Sequence, residues 1–573
     1  MRFVVAIVLF VGALVSIGIG LAQRTVWAPP DQITLTAESD SLAPVTVIDS
    51  DVLRSFDSRQ TIDVIGDGPV AAAYGRTSDV MAWIGDARYN RIGIDEENQR
   101  LTSELEPGDD LQVPPLAGSD LWLNDYEAED ALKFIVNVPD DVSVIIASDG
   151  VAPAPAEVSI TWPLDASTPF STPLIIGGSA LLVLGLLALL WALLHLRRSR
   201  GPRRKQPRLP RPPRQGRFRP RTRAVAPETR GRRAVRSFVA VPAALAVGLG
   251  ALLVAPATAM ADSVSAPRAD SEQRPVAVSE PQLRRIVARV GETIAQADEA
   301  RDADLAATRL DGPALEFRKA SYAIRGGDAN LGALPKIPSG KVELTLPQQT
   351  DSWPRTVFTI VQDDEDTTVA PTALVLIQQD ARSAYKVHYA IALEPETQIP
   401  DVAPPSVGAA RLPADSKLQV VAPADLAAAY GDVLAQGEAS ASYGLFDIES
   451  DTLLPQIGVA KKNERKAAIP TTATLEFANA PGSGETVALA TNDAGALVAV
   501  NVTESETVKP SEAGAAVNTE NSVKVLSGKT QTIKGITATY GMQLLFFVPP
   551  VSEGGKVQLL GYSNALVSAT ELP

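Results

Sequence analysis

LIIGGSALLVLGLLALLWALLHL, residues 174–196, is followed at once by RRSRGPRRK, and the reading of the whole chain turns on this stretch. It contains no Asp, Glu, Lys or Arg and is long enough, at about 1.5 Å per residue, to cross the hydrocarbon of a bilayer. Trp191 lies near one end, where an amphipathic ring suits the interface, and His195 sits at the same end, where the interface tolerates it. The dense positive charge that follows places the next segment in the cytoplasm. Residues 24–172 are then expected outside, with Arg2 and the amino terminus inside.

Two further apolar runs flank this one. Residues 3–22, FVVAIVLFVGALVSIGIGLA, carry no charge and read as a retained helix, although Gly20-Leu21-Ala22 before Gln23 is an acceptable signal-peptidase site. Residues 237–261, SFVAVPAALAVGLGALLVAPATAMA, have basic residues before them and acidic character after them, the reverse of the order around 174–196. This run should return the chain outward. Pro242 lies in its first turns, where a missing amide hydrogen costs least. Its tail, Ala259-Met260-Ala261 before Asp262, has the form of a secretory cleavage site. An uncut helix and a cleaved internal signal share this charge order, and the apolar length from Phe238 to Ala255 favours the uncut helix.

The expectation is therefore a multi-pass membrane protein. Transmembrane helices are read over 1–23, 173–196 and 237–261, with a cytoplasmic Arg/Pro-rich loop over 197–236. Extracytoplasmic regions are read over 24–172 and, after a linker over 262–279, over 280–395 and 411–573, joined by a Pro-rich stretch over 396–410.

Charge follows the same division. The chain has a net charge of −15, yet 17 of its 52 Lys and Arg residues fall between Arg197 and Arg236 beside a single acid, Glu228. Everything else is acidic, which argues against nucleic acid as a partner of the large domains. The loop cannot build a core, and its prolines oppose regular structure. Anionic lipid headgroups are its expected partner, at about 1 kcal/mol per basic residue near the surface. Phe218 alone does not supply the aromatics that single-stranded nucleic acid stacks on. The chain has no cysteine, so disulfides, thiolate metal sites and cysteine nucleophiles are excluded.

Over 24–172, short β-rich runs such as QITLTA, APVTVIDS, QTIDVIG, FIVNVP, DVSVIIAS and AEVSITWPL alternate with Gly, Pro and Asp. They predict an all-β, sandwich-like domain. Val80, Met81, Ala82, Trp83 and Ile84 are read as core or sheet-edge packing, and Trp122 as core or exposed loop. Asp125, Glu127, Glu129 and Asp130 are expected in a loop or short helix as a solvated face, since the calcium-loop pattern with its central glycine is absent.

Over 280–395, PQLRRIVARVGETIAQADEARDADLAATRL places Leu283, Ile286, Val290, Ile294 and Ala297 on one helical face, and KVELTLP, RTVFTIVQ, TALVLIQQ and YKVHYAIAL follow as strands. A second cycle opens with the helix PADLAAAYGDVLAQG and runs on through ETVALATND, ALVAVNVTE, SVKVLSG, MQLLFFVPP and GKVQLLGYS, all read as strands. Two α+β lobes of the cystatin or nuclear-transport-factor type are expected by analogy. RTVFTIVQ, the helix with Tyr430-Gly431, GALVAVNV, LLFFVPP and VQLLGYS resemble an uncharacterised C-terminal extracytoplasmic domain of actinobacterial membrane proteins and lipoproteins, over roughly 280–570. The resemblance implies an envelope protein and carries no catalytic residues.

No chemistry-bearing constellation is concentrated in the sequence. His195 and His388 are its two histidines, too few for a histidine metal site within one external domain, and His388 lies in an alternating strand as a hydrogen-bonded or sheet-surface residue. Asp363, Asp364, Glu365 and Asp366 form DDED after a strand; loop decoration is the expected role, ahead of weak divalent-cation binding and of catalysis by a carboxylate pair. Asn501-Val502-Thr503 matches a glycosylation sequon and is read as strand and turn composition. No catalytic, cofactor or metal residue is assigned. The functional expectation is a non-enzymatic envelope protein that binds or positions a wall, lipid or protein component, the alternative being an envelope glycan enzyme or an accessory subunit of one.

Overall fold

The computed structural model describes residues 1–199 and 274–573, apart from positions 40–41, 57–58, 96, 98–99, 140, 165, 365, 367 and 396. The basic loop beyond residue 199, the apolar run 237–261 and Glu365 lie outside the described residues. The chain forms two compact units, residues 1–28 with 167–271, and residues 29–166 with 272–573.

The first unit contains two helices long and apolar enough to cross a membrane, Phe3–Thr25 and Ser171–Arg198. They pack antiparallel. Arg24 donates to Ser171 Oγ (3.2 Å) and Thr172 Oγ1 (2.9 Å) at one end. Further along, a Cβ on Gly178 would lie 2.6 Å from Ile17, so glycine is what lets the backbones approach there.

In the second unit, residues 29–166 form eight strands: β1 (Gln32–Glu38), β2 (Val45–Ile48), β3 (Gln60–Arg76), β4 (Tyr89–Asp95), β5 (Arg100–Glu106), β6 (Asn124–Val136), β7 (Val142–Ala147) and β8 (Glu157–Pro163). They make one sheet in the order β1-β8-β3-β7-β2-β4-β5, with β6 on β3. The expected pair of sheets is thus a single sheet that bends. β3 pairs with β8 through its first half and with β7 through its second, and the register slips between Ile65 and Pro69 around Gly68, whose φ of 125° favours glycine. Ile62, Val64, Phe134, Ile146, Ile160 and Trp162 meet inside the bend. β2 and β4 run parallel, so the sheet is mixed.

The core packing expected of Val80, Trp83 and Ile84 is borne out, and the loop or short helix expected around Asp125 is corrected. VMAWI belongs to a helix, Thr77–Ile84, which buries Val80, Trp83 and Ile84 against the outer face of β2, β3 and β7 and leaves Met81 exposed. The buried positions follow helical spacing, not alternation. Asp125, Glu127, Glu129 and Asp130 lie in β6, where the long pairing with β3 overrides the low strand propensity of acids.

Residues 274–573 form four layers. Helices Glu280–Ala300, Ala303–Ala307 and Gly312–Gly327 cover one face of a sheet of β9 (Val342–Pro347), β10 (Arg355–Val361), β11 (Thr372–Gln378) and β12 (Lys386–Ala392), in the order β12-β11-β10-β9. The other face packs on a second antiparallel sheet. That sheet contains β13 (Ala473–Pro481), β14 (Val487–Ala490), β15 (Ala496–Pro510), and, beyond the short pair β16 (Val517–Asn518) and β17 (Gln531–Thr532), β18 (Ile536–Val548) and β19 (Gln558–Glu571). Helix Pro423–Gln436 closes its outer face, with Tyr430, Phe446 and Phe546 in mutual ring contact. The helical pattern read over 281–310 breaks at Arg301, which is left-handed (φ 54°), and Asp302 restarts a helix by accepting from the backbone of Asp304 and Leu305. SVKVLSG is a helix, Asn521–Ser527, instead of a strand, because left-handed Gly528 caps it and Val525 packs onto Gly327.

Buried charge joins residues 29–166 to 274–573. The Asp120 side chain is fully buried; it accepts from Arg309 Nη1 (2.5 Å) and the Tyr385 amide (2.8 Å), and Arg289 Nη2 stands 2.8 Å away. Asp79 pairs with Arg355, itself 1% exposed, at 2.6 Å. Gln282, Arg285 and Arg382 donate to the carbonyls of Leu121, Trp122 and Trp83. An aspartate taken out of water this way is tolerable only with its cations in place. Asp120→Asn should therefore destabilise the unit by about 3–5 kcal/mol, because two arginines lose their counter-charge. Urea unfolding followed by tryptophan fluorescence, to which Trp83 and Trp122 contribute from this seam, checks it; a midpoint within error of the parent would contradict the assignment.

Candidate functional site

The segment 334–340, LPKIPSG, runs between helix Gly312–Gly327 and the sheets and separates two concavities. The first, of about 250 Å3, opens where the edge strands β12 and β19 approach beneath that helix. Phe317, Leu334 and Ile337 give its apolar wall, and Arg318, Lys336, Thr372, Gln543, Tyr562, Ser563 and Asn564 its polar one. No carboxylate lines it. Arg318 is held by Asp298 (Nη1 to Oδ2, 2.9 Å) and by the Pro335 carbonyl (2.6 Å), and burial pulls its pKa below the usual value.

The second concavity, of about 510 Å3, lies between helix Glu280–Ala300 and the turn after β10, and Glu292, Asp298, Asp363 and Asp364 line it. Here the structure places part of DDED. Asp364 Oδ1 accepts from the Lys341 amide (3.0 Å), and Asp298 is already committed to Arg318 and to the Tyr322 hydroxyl (2.6 Å). Asp366 points away from this wall and accepts from the Thr368 amide (3.0 Å) and hydroxyl, which lower its pKa. Asp366, held ionised by these bonds, serves poorly as a general acid, which needs a raised pKa, and Asp298 and Asp364 are taken up in holding structure. Among the described residues no group of three or more His, Asp or Glu is arranged to hold a metal.

His388 is occupied at both nitrogens. Nδ1 lies 2.8 Å from Asp311 Oδ1, and Nε2 accepts from the Glu485 amide at 3.1 Å. That second bond assigns the proton to Nδ1, which donates to Asp311. A base in a nucleophile–histidine–acid arrangement would present Nε2 to a hydroxyl; here a backbone N–H takes that place. Gly312, with φ 47°, makes room for the ring, since a Cβ there would sit 2.3 Å from Cε1. The imidazole ties the first sheet to the loop before β14. His388→Ala should cost about 2–3 kcal/mol, two lost hydrogen bonds with the partners left partly buried, and denaturant unfolding checks it.

Other polar residues are structural in the same way. Lys462, pulled down by burial and back up by Glu504, spends its ammonium on Glu504 (2.6 Å), the Leu434 carbonyl (3.0 Å) and Asn479 (2.8 Å). Asn501 of the sequon is 2% exposed within β15 and donates to the Met542 carbonyl, out of reach of a glycosylating enzyme. His195 lies in the second apolar helix.

The polar residues of the smaller pocket escape a sequence reading because they come from β11, β18, β19, the segment 334–340 and a helix that no pattern singled out. One signal was present: Gln543 interrupts the apolar run MQLLFFVPP, where both faces of the strand are buried. No characterised protein and no solved structure shows significant similarity to the chain. The family described as Domain of unknown function (DUF8094) matches residues 274–571, more than half of the chain and the whole of the four-layer body that carries both concavities and His388; the chain belongs to that family.

Proposed function

We propose that this is a three-pass membrane protein of the cell envelope whose two large regions lie together on the outer side and bind or position another envelope component, a protein, glycan or lipid, without chemistry of their own. One observation carries the placement. Residues 29–166 and 272–573 belong to a single compact unit, yet the apolar helix Ser171–Ser199 stands between them in the chain. If that helix crosses the bilayer, the chain must cross again before residue 274, and 237–261 is the uninterrupted apolar run in that interval. The basic loop 197–236 then faces the cytoplasm, consistent with the positive-inside tendency, and meets anionic headgroups. Binding in preference to catalysis is supported by the commitments above: the described histidine, lysine and aspartates of the external body are engaged in holding turns and layers together.

The cysteine-free chain makes the placement directly testable. Glu129→Cys and Glu449→Cys, both at exposed positions, should each react with a membrane-impermeant maleimide on intact cells, and Gln215→Cys only after permeabilisation. Labelling of one external position without the other, or of residue 215 on intact cells, would sink the topology.

A further inference from the structure

The smaller pocket has a one-sided hydrogen-bonding character. Gln543 is 1% exposed; its Oε1 accepts from the Ala390 amide at 2.8 Å, and its Nε2 has no partner among the described residues. Ser563 Oγ accepts from the Ala392 amide at 3.1 Å, and the Tyr562 hydroxyl accepts from Gln456 Nε2 at 2.7 Å. Each of these three side chains accepts one bond from the protein and donates to none of the described residues. Arg318 and Lys336 add positive charge at the same wall, and no carboxylate lines the cavity. The open Gln543 donor borders the cavity, where a ligand group that accepts from it takes the place of solvent.

We infer that this pocket binds the carboxylate of a small amphiphile, the carboxylate facing Gln543 Nε2 and Ser563 on the wall that also holds Arg318 and Lys336, and the hydrocarbon lying against Phe317, Leu334 and Ile337. Both halves of the ligand follow from the wall. An amine would meet the Arg318 and Lys336 cations with no lining carboxylate to offset them, and a free carboxylate without a tail would leave the apolar wall uncovered. The volume of about 250 Å3 lies just below the roughly 300–1,000 Å3 usual for small-molecule sites, which suits one short acyl chain and excludes a two-chain lipid body. This deepens the binding reading by naming a ligand class, and it rests on binding without chemistry, not on the membrane topology.

The test uses the full chain in lipid nanodiscs, with calorimetric titration of octanoate and empty discs as the blank. Octanoate should bind saturably, with octan-1-ol and acetate each at least tenfold weaker. Gln543→Glu keeps the Oε1 that accepts from Ala390 and replaces the donor with a second, negatively charged acceptor; it should weaken octanoate at least tenfold. Should that variant fail to fold, as judged by its thermal midpoint, Phe317→Ala reads the apolar wall instead and should weaken octanoate by a similar factor. No saturation above the blank, equal binding of octan-1-ol, or parent-like affinity in the folded variants would overturn the proposal. Octanoate binding by a chain whose external cysteines label on opposite sides would overturn the topology and leave the pocket assignment standing.

Discussion

Two buried aspartates constrain everything else in the unit that joins residues 29–166 to 274–573. Asp79 and Asp120 come from residues 29–166, and their cations Arg355, Arg289 and Arg309 come from beyond residue 274. A carboxylate out of water without its cation costs several kcal/mol, as does a stranded guanidinium, so neither piece is well served by folding without the other. Hydrophobic contact reinforces the pairing: Ala381 and Trp353 join Trp83 and Trp122, whose rings meet edge-on at 5.4 Å. A body packed through such a seam lies on one side of any bilayer. Were the chain between its pieces to cross a bilayer, it would have to cross an even number of times.

The seam explains which parts of the fold were legible in the sequence. Apolar length alone identifies helices Phe3–Thr25 and Ser171–Arg198 as long and apolar enough to cross a membrane, without help from tertiary structure. Strands β1, β2, β7 and β8 were legible because β-branched residues cluster in them. β4, β5 and the acidic first part of β6 were not: YNRIGID, RLTSELE and NDYEAEDALK are held as strands by their neighbours' ladders, and their composition is that of solvated chain. Helix Gly312–Gly327 was lost for a related reason. Its apolar residues Ala314, Phe317, Ala320 and Ile324 are spaced for a helix but are diluted by buried Arg318 and Ser321, which bond to Pro335 and Gly332 on the segment beside the pocket.

The four-layer stacking explains the continuous apolar strands of the family domain. Val357 and Val361 of β10 face the helices, whereas Phe358 and Ile360 face the second sheet; β15 and β18 divide their residues in the same way. Strands covered on both sides lose the polar alternation that marks an exposed face. Read alone, such runs suggest two separate lobes, each with its own curved sheet. Packing the sheets back to back turns what would be each lobe's solvent face into a shared core, and the helices go to the outside.

That stacking also generates the chemistry of the smaller pocket. β12 and β19 end their respective sheets and meet at the isolated bridge of Leu393 with Gly561 instead of pairing along their length. An unpaired strand edge exposes backbone donors, which a protein must cap or cover. Here Gln543 and Ser563 reach across from the second sheet and accept from Ala390 and Ala392. Capping N–H groups consumes acceptors. Side chains that carry both functions are then left with their donors turned toward the gap between the edges, so the pocket's preference for an acceptor follows from the way this fold closes its own strand edge.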